Sequence, residues 1–199
     1  MGGGVSTGRT GLDTGRERVM RAAYSLFSRA GIRSVGVDTV IAEAGVAKMT
    51  LYRNFPSKEG LVLAFLQRRE DLWTHGWVQK EITRRAETPA GRLLAIFDIF
   101  DEWFHRSDFE GCAFITVLLE MNEPESPIRD ACVGHLANIR RIIVGLAEDA
   151  GIADTDAFSR QWHILMKGSI VAAHEGDVDA AGRSREMGEL LLRRHGVAV

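Results

Sequence analysis

The chain is 199 residues long, has only two cysteines and four prolines, and contains no long hydrophobic run. Cys112 and Cys132 stand far apart in apolar surroundings, a spacing that matches neither a disulfide framework nor the close pairs of a zinc site. A reducing cytoplasm is therefore the expected compartment. No apolar stretch reaches the roughly 18 to 20 residues that cross a bilayer, and the opening MGGGVSTGRTGLDTG has no hydrophobic signal core; no membrane association is expected. The six histidines form no His-Glu-x-x-His pair, no Gly-rich phosphate loop follows a strand, and no serine sits in a strand-to-helix elbow. The expected protein is no enzyme, with no metal and no cofactor.

Apolar residues make up 45% and charged residues 26% of the chain, an ordinary globular balance. The length predicts one compact unit with a smaller appended module. A net charge of −2 argues against a polyanion partner until its distribution is read. Residues 1–60 carry nine Lys and Arg against five Asp and Glu, so a basic first third is joined to an acidic body, and only that third suits a polyanion.

Helical spacing dominates, and no convincing strand pattern occurs. Val19, Ala22, Ala23, Leu26, Phe27 and Ala30 form one face of a first helix that Gly31 ends. A short second helix is predicted over 38–44, Gly45 supplies a positive-φ turn, and a third helix spans 47–54. Pro56 stops it and Ser57 caps the next helix, whose apolar stripe through Leu61, Phe65, Leu72 and Trp77 runs to the Thr88–Pro89 break. Further helices follow from Leu93 to near Ser107, from Gly111, at 128–151, after Asp154 or Thr155, and over 179–194. The expectation is an all-α fold of about nine helices: a flexible tail at 1–13, a helix-turn-helix module at 14–56, and a body at 57–199.

A helix, a glycine turn and a second helix can place that second helix in a DNA major groove, but the pattern alone is weak. Around it stand Ala44-Gly45-Val46, Thr50-Leu51-Tyr52, Phe55 and Ser57-Lys58-Glu59. With these the chain resembles the TetR (tetracycline-repressor-like) family of bacterial transcriptional regulators over about residues 14–65. The resemblance implies that Lys48, Met49 and Thr50 face the groove and that Tyr52, Asn54 and Lys58 hold phosphates, with Leu51 and Phe55 in the core. Arg53 reaches a phosphate or is simply solvated. Gly36 stands where the family has a capping Ser or Thr that touches a phosphate; Thr39 is the candidate replacement.

The resemblance also implies an inducer pocket in the body and a homodimer made by the last two helices. Aromatic residues are abundant enough to line a pocket for an apolar or aromatic small molecule: Trp73, Trp77, Phe97, Phe100, Trp103, Phe104, Phe109, Phe114, Trp162, with Met166. His105, Glu120, Asn122 and His163 are polar candidates to orient that ligand. Phe158, Trp162, Leu165, Gly168, Ala172, Ala173, Met187, Leu190 and Leu191 are the candidates for a four-helix dimer interface. The expected activity is repression of transcription from a palindromic operator, relieved by the inducer. The rival is a small-molecule-binding or enzymatic all-α protein that keeps the fold without specific DNA binding.

Overall fold

A computed structural model describes residues 14–121 and 123–198. The expected tail at 1–13 and the candidate Asn122 lie outside the described residues. The chain divides into two compact units, Met1–Leu61 and Val62–Val199. The sequence-based boundary, drawn at the start of the fourth helix, precedes this one by about one helical turn.

In the first unit, Thr14 starts α1 (Gly15–Ser34) by accepting from the Glu17 N–H at 3.2 Å. Val19, Met20, Ala22, Ala23 and Phe27 form its buried face, and the helix breaks at Gly31, where φ is 76°. α2 (Val37–Ala44) begins at Gly36 with no side-chain cap and ends at Gly45, whose φ of 60° and ψ of 41° lie in the left-handed region. Glycine takes that conformation without a Cβ penalty, so α3 (Lys48–Asn54) can leave at a new angle. Ser57 caps α4 (Lys58–Arg69), its hydroxyl accepting from the Gly60 N–H at 3.0 Å.

α4 leads into a π-helical segment, Glu70–Val78, and then into α5 (Gln79–Arg85). The Gln79 N–H donates to the Thr74 carbonyl five residues back. Gly76 fits this wider turn because a β-carbon there would lie 2.8 Å from the Asp71 carbonyl oxygen. The segment buries Glu70, Thr74 and Val78. The sequence predicts plain α-helix here, since a period of 3.6 and a slightly wider one leave similar apolar stripes over nine residues.

The rest of the second unit is α6 (Pro89–Phe104), α7 (Ala113–Glu120), α8 (Pro127–Asp149), α9 (Thr155–His174) and α10 (Ala180–Arg194). Thr88 caps α6 by accepting from the Gly91 N–H at 3.1 Å, and Asp154 caps α9 by accepting from the Ala157 N–H at 3.0 Å. With 58–85 counted as one helix, the described residues form nine helices and no strand. Ten of the sixteen residues of α6 are buried, too many for a one-sided helix, and accordingly α5, α8, α9 and α10 all pack against it.

Candidate nucleic-acid interface and ligand cavity

Leu51 is fully buried and Phe55 nearly so, which fixes the roll of α3 about its axis. Lys48, Met49, Tyr52 and Arg53 are consequently exposed, with Thr50 and Asn54 half-buried. Phe55 is gripped from outside by Arg16, whose guanidinium carbon lies 5.2 Å from the ring centroid, and an Arg18 guanidinium N–H reaches the Gly45 carbonyl at 3.5 Å. Arg18 thus braces the turn and Arg16 the end of α3, roles that charge counting alone does not reveal.

Two of the residues expected to meet DNA also have partners within the chain. Lys48 Nζ lies 3.5 Å from Asp38 Oδ1, with both side chains largely exposed; such a pair contributes little to stability and is easily exchanged for a phosphate. The Asn54 amide donates to the Thr50 carbonyl at 2.8 Å, closing the last turn of α3. Thr39 is exposed in the first turn of α2 beside Gly36, and Lys58 is half-buried at the start of α4.

The aromatic residues of the body separate into cavity and core. Trp73 and Phe100 line a small internal chamber of about 20 Å³, together with Met166 and His163. Phe97, Trp103, Phe104 and Trp162 are buried ring against ring: Trp103 lies 4.9 Å from Phe109, Phe104 5.1 Å from Phe109, and Phe97 5.3 Å from Trp162. Trp77 packs on Trp73 at 5.8 Å. Phe114 stacks on His135 at 4.9 Å, and His135 Nδ1 is 2.8 Å from Glu70 Oε2 in the π segment. These rings fill space rather than enclose it. His105 is exposed, its Nδ1 2.8 Å from the Asp101 carbonyl.

Cys112, Ile115, Leu136, Ile139, Lys167 and Ile170 complete the chamber. Of these, Cys112, Ile115 and Ile170 also line an open groove of about 360 Å³ with Gly111, Thr116, Leu119, Glu120, Val171 and His174. Burial, with lesser effects from Lys167 and Arg140, holds the His163 imidazole down at about 3, so it is neutral at ordinary pH. Burial also lowers Lys167, again with Arg140 adding to it. Desolvation raises the Cys112 thiol and pushes Cys132 up to about 12; both are poor nucleophiles in this setting. Lys167, one helical turn after His163, is not among the sequence-based candidates, and its spacing from His163 is the signal that points to it.

On the opposite stripe of α9, Ile164 is 67% exposed, and on α10 Met187 and Leu190 are 56% and 63% exposed. With Leu165 and Leu191 they line a shallow groove of about 450 Å³, and Gly168 and Ala172 extend the strip. Phe158 and Trp162 have no exposed area and Ala173 has little. The structure corrects their assignment to an interface: all three are buried within the unit, where Trp162 meets Phe97 and Phe158 meets His195. Ile164, absent from the sequence-based selection, is the largest apolar surface of α9.

Residues 19–65 match the family described as bacterial regulatory proteins, tetR family. The chain is 32% identical over 124 residues to the HTH-type transcriptional activator FasR of Mycolicibacterium smegmatis, covering 62% of this chain and 55% of that protein. It is 26% identical over 122 residues to the HTH-type transcriptional regulator LmrA of Bacillus subtilis, covering 59% and 62%. The chain thus spans little more than half of each curated relative. Among solved structures it superposes on a TetR-family transcriptional regulator from Streptomyces coelicolor with a TM-score of 0.81 at 26% identity, over 91% of this chain and 95% of the other. A second, described as a putative tetr-transcriptional regulator from Streptomyces avermitilis, gives 0.82 at 26% identity over 92% and 99%.

Proposed function

The chain belongs to the tetR family of bacterial regulatory proteins, and from that premise we propose that it is a homodimeric, ligand-responsive regulator of transcription that reads a palindromic operator through α3. The observation that carries the proposal is the roll of α3. With Leu51 and Phe55 buried, the exposed Lys48 and Met49 offer a cation and a flexible thioether, and the half-buried Thr50 sets a hydroxyl beside them. Such groups suit base edges, while Tyr52, Arg53, Asn54, Lys58 and Thr39 suit phosphates, which fix register without reading sequence.

A twofold dimer matches half-sites about one turn of DNA, roughly 34–36 Å, apart. The exposed Ile164, Met187 and Leu190 strip supports self-association, since an apolar strip of this kind on a monomer calls for a cover. A ligand in the second unit would bias DNA binding through the helix that begins at Lys58, with the usual coupling of about 1–3 kcal/mol. The proposed output is repression by occupying the operator. Activation, the output named for the mycolicibacterial relative, is the alternative.

Selection of bound duplexes from a random library tests the reading. Enrichment of one palindrome is the expected result, and a reporter behind that sequence gives the sign of regulation. If no sequence is enriched at low salt, the specific-operator reading fails.

A further inference from the structure

We propose that the inner chamber and the outer groove beside α7 and α9 together bind one organic anion, its carboxylate seated at His163 and Lys167 and its apolar chain lying in the groove. The proposal deepens, and rests on, the reading of the second unit as ligand-sensing.

The chamber is built for a small polar head. His163 is 4% exposed and lines it, and Lys167 projects from the next turn of the same helix to the same space. Among the described residues neither side chain has a hydrogen-bond or ion-pair partner. A buried imidazole and a half-buried ammonium without partners are costly to keep in an apolar surround. Arg140 acts on both, and the other group that acts on Lys167 is the Cys112 thiol, which burial keeps protonated. The site is therefore electropositive and short of an acceptor. A carboxylate supplies what is missing: it takes the imidazole N–H and pairs with the ammonium.

The rest of the ligand follows from shape. About 20 Å³ admits roughly one water-sized group, which excludes a ring. Cys112, Ile115 and Ile170 border both spaces, so the continuation is into the groove of about 360 Å³. Its Leu119 is 74% exposed and its Val171 44% exposed, an apolar bed for a chain or a small hydrocarbon body. A carboxylate with an apolar remainder fits; a cation does not.

The test uses the full chain and three probes with the same hydrocarbon tail and different heads: octanoate, 1-octanol and octylammonium, titrated calorimetrically and by tryptophan emission. Octanoate is expected to bind at least tenfold more tightly than the other two. Lys167→Met should weaken octanoate at least tenfold while leaving octanol within about threefold, and Lys167→Arg should keep the ranking if the Met variant fails to fold. Equal or tighter binding of octanol or octylammonium, no binding of octanoate, or an unchanged affinity in a folded Lys167→Met overturns the proposal. Operator binding followed in parallel separates the two readings. Octanol that binds and releases DNA where octanoate does not refutes the anion site and keeps ligand sensing. Lys167-dependent octanoate binding with unaltered DNA affinity supports the anion site and refutes the coupling.

Discussion

Gly188 on α10 offers a sharp test of how the second unit is packed. An alanine β-carbon there would lie 2.8 Å from Trp162 Cη2 and 3.2 Å from both Trp162 Cζ3 and Phe97 Cε2. Ordinary carbon contacts are near 3.5 Å, so something must retreat by about 0.7 Å. Trp162 cannot do so freely: it is fully buried, with Phe158 stacked at 5.3 Å and Phe97 also at 5.3 Å. Overpacking of this kind costs about 1–3 kcal/mol, against a helix-propensity gain of about 0.8–1.0 kcal/mol for replacing glycine by alanine. Gly182 lies on the same helix with nothing within 4 Å of its β-carbon position, so Gly182→Ala collects a propensity gain without the clash. The propensity terms roughly cancel between the two variants and leave a gap of about 1–3 kcal/mol. For a chain of this size the gap corresponds to roughly 2–12 °C in Tm. Thermal melts of both variants at one protein concentration measure it, the concentration being held because any self-association would shift Tm. Equal melting temperatures, or a Gly188→Ala that melts higher, would refute this packing of α10 on α6 and α9.

Other outcomes follow from single contacts. Ser57→Ala removes the acceptor of the Gly60 N–H and should lower stability by about 0.5–2 kcal/mol in urea unfolding, with Ser57→Asp retaining it. Met187→Asp with Leu190→Asp places charge on the exposed α10 strip; sedimentation should show a monomer of unchanged helix content, and a persisting dimer would move the interface elsewhere. Burial keeps the folded His163 at about 3 against an ordinary 6.5, so between these values the unfolded chain binds the extra proton. Stability present above about pH 6.5 is therefore lost as pH falls toward 3, at up to about 1.4 kcal/mol per pH unit. Urea unfolding at about pH 7 and about pH 5 should show a shallower loss in His163→Gln than in the wild-type chain; identical losses contradict the burial of that imidazole.

The elements set by local chemistry were legible in the sequence. Gly31 and Gly45 mark helix ends because each takes a positive φ, Ser57 caps its helix and Asp154, one of two candidates, caps α9, while Thr88, legible only as part of a break, caps α6. The family resemblance, rather than spacing, implies a core position for Leu51 and Phe55, and both are buried. What depends on neighbours distant in the chain was not legible. The abundance of aromatic residues pointed to a pocket, yet most of the rings fill the core, and the chamber is completed by Cys112, Leu136 and Lys167 from three separate helices or their caps. Phe158 and Ile164 share a helix, and only the position of α6 and α10 decides which is buried. The π segment escapes notice because its extra residue per turn is a backbone event without a distinctive side chain.

The central claim, that α3 divides base reading from phosphate holding, is tested most directly by fluorescence anisotropy of the selected palindrome and a scrambled duplex with Thr50→Ala, Lys48→Ala and Tyr52→Phe at fixed salt. Groove-facing substitutions at Lys48 and Thr50 are predicted to cost about 1–3 kcal/mol on the palindrome and to erase much of its preference over the scrambled duplex. Tyr52→Phe is predicted to weaken both duplexes alike. Uniform losses at all three positions, or no loss at any of them, would contradict the account.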